Sequence, residues 1–564
     1  MKMKLAELRF VNTIKTKSMN INKKLLLYIS CAAMLTLGSC TKKFDEINTD
    51  PTQASAGQFD PNLLLSGAQT AYFIANQGYN GPILFQSMWT QTFASAAYPS
   101  YYSNGDKYVA SGNLTDYQGR LWTRAYNSAS YCYEIQSLTS GNATLSNLSG
   151  IALIVELLNI QVLTDTYGDI PFSQALQAKT AVTLPVYDSQ QAIYTSMLSK
   201  LDSVLPTLDA TKTAPANDAW SYKGSVAQWK KFGYSLMLRM AMRLTKADAA
   251  TAQKYAEKAA AGGTFASNSD NLYQVFDNAD GYSNNNSSAL ITTEDYSEVR
   301  WGKVLINYLQ TNNDPRLSVI AEVPDSGFNA TLKKLISADA TVAGDDTASH
   351  QLGMPSGYDQ NGGATDISTS PGYPGATGST AGTSLNPIGK YSRPTTTTYI
   401  PLNTPGFVLT YAQTEYLLAE AAARGWSVGG TASTHYANGL AAAIQTYGTL
   451  NSTATISSAV ATAYAAAHPL DVSSLTNSLQ QINTEYWATT GTLFDFVETW
   501  TNWRRSGYPA LTPVNYTGNF SGGVIPRRQQ YPITEAATNP ANYKTAASAI
   551  TGGDLFSSRV WWDK

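Results

Sequence analysis

YAQTEYLLAEAAARGW, Tyr411 to Trp426, places Ala412, Tyr416, Ala419 and Ala423 at spacings of three and four. That period gathers one face of an α-helix, and the small residues on it let a second helix come close. Gly425 supplies the stop, because a residue without a Cβ takes the left-handed conformation that ends a helix. Beyond a Gly/Ser/Thr turn, Ala432, Tyr436, Gly439 and Leu440 repeat the period. Two such segments joined by a short turn read as an antiparallel helical pair.

The same signal recurs on either side. Between Val226 and Thr245 the residues Trp229, Phe232, Leu236, Met240 and Leu244 mark one apolar face, and Thr251, Tyr255 and Ala259 give a weaker echo. Phe494, Val497, Trp500 and Trp503 form a helical face closed by Arg504 and Arg505, whose cations suit a helix C-terminus, and by Gly507 and Pro509. The expectation is a mainly α fold of tetratricopeptide-like helical hairpins with long irregular loops and little β, the hairpins stacking into a curved scaffold. From about Ser337 to Pro401 the chain turns to Gly, Ser, Thr, Pro and Asn and sustains neither period. A disordered insertion and a ligand-facing surface loop both fit that composition.

The N-terminus reads as a leader. Leu25–Leu37 (LLLYISCAAMLTL) is an apolar run behind Lys23 and Lys24, followed by Gly38, Ser39 and Cys40. It is shorter than the ~20 residues a bilayer span needs, so it is a signal peptide rather than a membrane helix. Met19 opens a compact version of it. Small residues before Cys40 form a lipobox, in which the cysteine thiol is acylated and becomes the new N-terminus. The expected layout is therefore a lipoprotein signal over 1–39, a lipidated tether over 40–55 and one ligand-binding domain over 56–564, with the lipid as the sole membrane contact.

Removing 1–39 takes away seven basic residues and Glu7, so the formal net charge falls from −2 to −8. An acidic body argues against a nucleic-acid partner, which needs a basic face. Only Cys132 then remains beside Cys40, too few for a disulfide framework.

Catalytic constellations are hard to find. His350, His435 and His468 are scattered and none lies in an HExxH arrangement. The elbow-like GSTAG, Gly378–Gly382, has Thr380 where a nucleophilic serine belongs. DNADGYSNNN, Asp277–Asn286, lacks the ligand order of a calcium loop and reads as a polar turn. Glu485, Asp495 and Glu498 are the acids a glycosidase would use, although solvated helix charges explain them more simply. The reading is a non-enzyme with no cofactor and no metal.

A binding surface is better supported. The chain has 35 Tyr and 11 Trp with only 14% charged residues, a mixture suited to sugar C–H faces and hydroxyls. The densest stretch is MWTQTFASAAYPSYYSNGDKY, Met88–Tyr108. It offers Trp89, Tyr98, Tyr101, Tyr102 and Asn104 as ligand contacts, with Trp122 and Tyr126 shortly after. Core packing is the alternative role for each.

Six ordered segments carry a resemblance: FDEINTDP (Phe44–Pro51), LTDTYGDIPF (Leu163–Phe172), LMLRMAMRL (Leu236–Leu244), Tyr411–Trp426, NWRRSGYPAL (Asn502–Leu511) and IPRRQQYPITEAATNPANY (Ile525–Tyr543). Behind a lipobox, this set resembles the SusD/RagB family of nutrient-binding lipoproteins. The resemblance implies an outer-membrane, surface-facing protein that captures oligosaccharides or peptides as a lid on a SusC-like TonB-dependent transporter. Within these segments Arg527 and Arg528 are expected to pin a terminal loop to carboxylates. Asp169 is expected to serve a turn, and Glu156, in IALIVELLNI (Ile151–Ile160) before it, to be solvent-facing or paired. The rival readings are an envelope assembly scaffold and a glycan-degrading hydrolase.

Overall fold

The computed structural model describes residues 59–324, 340–374 and 387–564, with the backbone of two short strands, Phe328–Asn329 and Lys334–Leu335. The leader, Cys40, FDEINTDP and Gly378–Gly382 lie outside the described residues.

From Pro61 onward the frame is helical. Its principal helices are α1 (Asn62–Asn76), α2 (Leu114–Thr139), α3 (Ser146–Tyr167), α4 (Gln190–Val204), α5 (Val226–Arg243), α6 (Ala249–Gly262), α7 (Tyr411–Ala423), α8 (Ala432–Gln445), α9 (Ser458–Ala467), α10 (Leu475–Thr492) and α11 (Phe496–Ser506). α2 packs between α1 and α3, and α5/α6, α7/α8 and α10/α11 pair as hairpins. α7 joins them by touching α5 and α10. The part of α3 that is long and apolar enough to cross a membrane is mostly buried, so it is a core helix of this body.

Local chemistry explains the hairpin read from Tyr411–Trp426. The Thr410 side chain accepts from the Gln413 amide while Gln413 reaches back, a capping box that satisfies the first helical N–H groups. Ala412, Tyr416 and Ala419 are buried, and Gly425 closes the helix at φ +82. On α8, a Cβ at position 439 would lie 2.7 Å from the Tyr416 ring. The tyrosine filling the facing position therefore leaves room for glycine at 439 and not for a Cβ.

Strands are short: β1 (Phe93–Ser95) pairs antiparallel with β3 (Val299–Trp301), and β2 (Leu272–Gln274) with β4 (Gly406–Leu409). They hold a second, aromatic core built from Trp89, Phe93, Trp301, Tyr399, Trp487 and Trp500, distinct from the larger mixed core around α3 and α5. Phe494 belongs to this second core rather than to α11. It occupies the α10–α11 turn at φ +62 and stacks on Tyr399 at 4.4 Å, so the helix starts two residues later than the periodicity suggests.

The scaffold's charges are buried in pairs. Arg505 makes a two-pronged contact with Glu420, both arms 2.7 Å, and also donates to Asn483 and Asn502. Arg243 joins Asp165 and Glu498, and Arg316 joins Asp314 and Glu485. Glu485, Asp495 and Glu498 are thus not solvated helix charges. Glu485 and Glu498 are buried and Asp495 is half-buried, because the arginines and the Gln413 amide that satisfy them sit on neighbouring elements. Arg504 does more than face a helix dipole: its guanidinium lies 3.5 Å from the Trp500 ring centre and donates to the carbonyls of Asp165 and Arg527. Arg527 and Arg528 pair with Asp563 and Asp554, fastening the C-terminal segment. Asp169 accepts from the Gln190 amide across its turn, and Glu156 is paired with Gln136. The polar turn at Asp277–Asn286 closes through Asp277 and Tyr282, and Asn284 caps the helix that follows.

Candidate ligand-binding site

The stretch Met88–Tyr108 folds too tightly to present all its aromatics. A Cβ at Gly105 would fall 1.7 Å from the Leu84 carbonyl oxygen, so backbone packs directly on backbone here. Trp89 is fully buried against Trp500, ring centres 5.1 Å apart. Tyr102 is also buried, its hydroxyl donating to Asp295 at 2.8 Å, and Asn104 is spent on Ser111. Trp122 is 7% exposed and ringed by Tyr126, Tyr167, Tyr187 and Tyr531. These four serve packing and offer a ligand no free ring face.

Tyr98 and Tyr101 stay half-buried, and each gains tyrosine neighbours from distant segments. Tyr79, from the loop after α1, and Tyr117, from the first turns of α2, join Tyr101 with ring centres 5.7–6.3 Å apart. The Tyr101 hydroxyl donates to Asp295 at 2.5 Å, so one buried carboxylate orients both Tyr101 and Tyr102. The Asn113 amide donates to the Tyr117 hydroxyl at 3.4 Å. Burial, and then the charge of Tyr79, push the Tyr117 phenol above its usual range. Arg120 lies 4.6 Å over the Tyr117 ring and is neutralised by Asp116 at 2.6 Å.

On the other arm Tyr98 packs against Tyr516, ring centres 5.3 Å apart. Tyr516 donates to Asp359 at 2.5 Å, and Asn361 donates to the Tyr98 carbonyl. Burial pushes the Asp359 carboxyl up, but the bonds from Tyr516, the Asn361 amide and Thr365 outweigh it and hold the group below its usual range. A cleft of about 500 Å³ opens beside this pair, lined by Gln91, Lys303, Asn307, Tyr358, Thr365 and Asn515. The described part of the Gly/Ser-rich excursion therefore contributes to the site. It is anchored by a small core of Met354, Ile367 and Tyr391 on Ala94 and Ala96. A fully buried Asp106–Lys107 pair binds it further: Asp106 accepts from Gly357 and Lys107 donates to Ser95.

The result is a face of neutral rings edged by hydroxyls and amides. Such a face suits the C–H planes and hydroxyls of sugars and holds no nucleophile beside a base. Among the described residues, no cluster of three His, Cys, Asp or Glu side chains is arranged to hold a metal ion. Sequence reading missed Tyr79, Tyr117 and Tyr516, which lie outside the dense stretch and join it only through the fold.

The family model described as "SusD-like, Starch-binding associating with outer membrane" matches residues 54–532. A solved chitin-binding protein is 28% identical over 90% of this chain and all of its own, with a TM-score of 0.72. A Bacteroidetes SusD-like structure shares the fold at 22% identity, TM-score 0.74, over 90% of this chain and all of that one. So does a chitin-binding SusD homolog from Flavobacterium johnsoniae, at 22% identity and TM-score 0.69, over 89% of this chain and 99% of that one. No curated protein sequence matches the chain.

Proposed function

This chain belongs to the SusD-like family, and from that premise we propose that it captures neutral oligosaccharides at the outer membrane and delivers them intact to a SusC-like TonB-dependent transporter. The observation that carries the reading is the tyrosine face of Tyr79, Tyr101 and Tyr117, in which the bond to Asp295 sets the Tyr101 ring and the other two rings pack against it before any ligand arrives. Pre-set rings lose little side-chain entropy on binding. The likeness to a chitin-binding protein makes N-acetylglucosamine oligomers the first ligand class to try, with peptides second. In this reading Cys40 is acylated, 40–55 is a tether, and 56–564 is the capture domain facing outward. The pairing of Glu485 and Glu498 with arginines, and of Asp495 with Gln413, favours a binder over a hydrolase.

Calorimetry of the protein against chito-oligosaccharides, malto-oligosaccharides and peptides, with product analysis of every sample, tests the proposal. Saturable binding of an uncleaved sugar is expected. Cleavage that stops in Glu485→Gln, Asp495→Asn or Glu498→Gln would move the assignment to a hydrolase, and silence across the panel would favour the assembly scaffold. Cys40→Ala is expected to release the protein from the membrane fraction. Retention in cells lacking the transporter would sink the anchoring argument.

A further inference from the structure

A second surface has the chemistry of a sugar site and shares no residue with the tyrosine face. The turn after α3, the start of α4 and the C-terminal tail enclose an open groove of about 870 Å³, lined among others by Asp169, Ser189, Gln191, Arg528, Thr551 and Trp561. We propose that this groove is a second binding site for neutral oligosaccharides.

Three observations carry it. Its charged side chains are matched except Lys564 at the end of the chain: Arg528 by Asp554 and the Tyr167 carbonyl, Arg559 by Asp563, and Asp169 by the Gln190 amide. Away from the exposed Lys564, an anion or an acidic peptide would have to break those pairs to be bound. Neutral hydrogen-bonding groups are left over, since Gln191, Thr551 and Ser557 make no side-chain hydrogen bond among the described residues. Finally, Trp561 keeps part of its ring exposed while its neighbour Trp562 is fully buried. The Trp562 indole donates to Asp165 at 2.8 Å, and Asp563 is held by Arg527. Both anchors lie immediately after Trp561 and hold the chain there, so an apolar plane and free hydroxyl and amide groups line one cavity.

The test is hydrogen–deuterium exchange on the full chain with N-acetylglucosamine hexasaccharide and with maltoheptaose at millimolar concentration. Protection is expected in residues 189–192 and 549–564, and it should persist in a Tyr79→Ala/Tyr117→Ala variant. The Gln191→Ala/Thr551→Ala pair should lose it, with affinity at the groove falling about tenfold. Trp561→Ala should do the same, and since this ring packs partly on the helical core, the Gln191/Thr551 pair is the variant that spares folding. Protection confined to the tyrosine face, or none at 549–564 with either sugar, overturns the groove. Protection at 549–564 without any around Tyr79–Tyr117 instead overturns the tyrosine face and leaves the groove standing.

Discussion

The hairpin scaffold and the tyrosine face use polar groups to opposite ends. In the scaffold, Arg505, Arg243 and Arg316 are almost fully buried and consumed by carboxylates, so each charge is satisfied inside the protein. At the face, Asp295 and Asp359 are likewise consumed, but by tyrosine hydroxyls, and the rings they orient remain partly open. Buried pairing thus locks helices together in one region and aims unspent aromatic surface outward in the other. Mutations should separate the two: scaffold changes cost stability, and face changes cost affinity.

The largest effect is expected at Arg505→Ala. It takes from Glu420 its buried two-pronged partner and leaves only Arg424 and Asn483; the carboxyl is pushed up by burial but held well below its usual range by Arg505 and then Arg424. A loss of about 3–5 kcal/mol in urea unfolding is expected, the scale for breaking a buried pair. A loss below 1 kcal/mol would show that the network is not what holds the hairpins. Gly439→Ala should cost about 1–3 kcal/mol by overpacking against Tyr416, unless the ring can shift aside.

Asp495 adds a pH signature to the scaffold. Burial, and then the charge of Glu498, raise its folded-state value to about 7 against a usual 3.8. The folded state therefore holds a proton that the unfolded chain releases earlier, and stability should fall as pH rises from about 4 to about 7. Asp495→Asn should flatten that slope and stabilise the protein by about 1 kcal/mol or more at pH 8. An unchanged slope in unfolding scans across this window would assign the titration elsewhere.

Tyr117→Ala should weaken oligosaccharide binding about tenfold while changing stability by no more than about 1 kcal/mol. The reverse pattern in paired calorimetry and unfolding data would make this tyrosine a packing residue. The smallest effect is expected at His435, whose two ring nitrogens face Glu415 and the Gly429 carbonyl. Burial disfavours its charged form, yet the bonds to those two partners raise its value above the usual one. Its contribution is full below pH ~6.5 and is lost as pH rises through the higher folded value. His435→Gln should remove a dependence of less than about 1 kcal/mol on the alkaline side, read as a vanished shift in the unfolding midpoint.

Periodicity made the hairpin helices legible, because the buried face of a helix repeats within a few residues: α5 and α7 start where their patterns start. Composition likewise marked the chain as rich in rings and poor in charge. Aromatic density within Met88–Tyr108 was a poorer guide. Local crowding is as useful to a core as to a ligand, and Trp89, Tyr102 and Asn104 went inside while Tyr98 and Tyr101 stayed near the surface. The sequence by itself determined the helical class, the apolar faces and the helix stops, all properties of neighbours along the chain. Only the tertiary structure decided which tyrosines meet, that Glu485 and Glu498 are interior, and that the half-buried Asp495 is bonded to Gln413. A ring's neighbours from α1, α2 and residue 516, or a carboxylate's arginine on another helix, are contacts across long stretches of chain, and no local pattern encodes them.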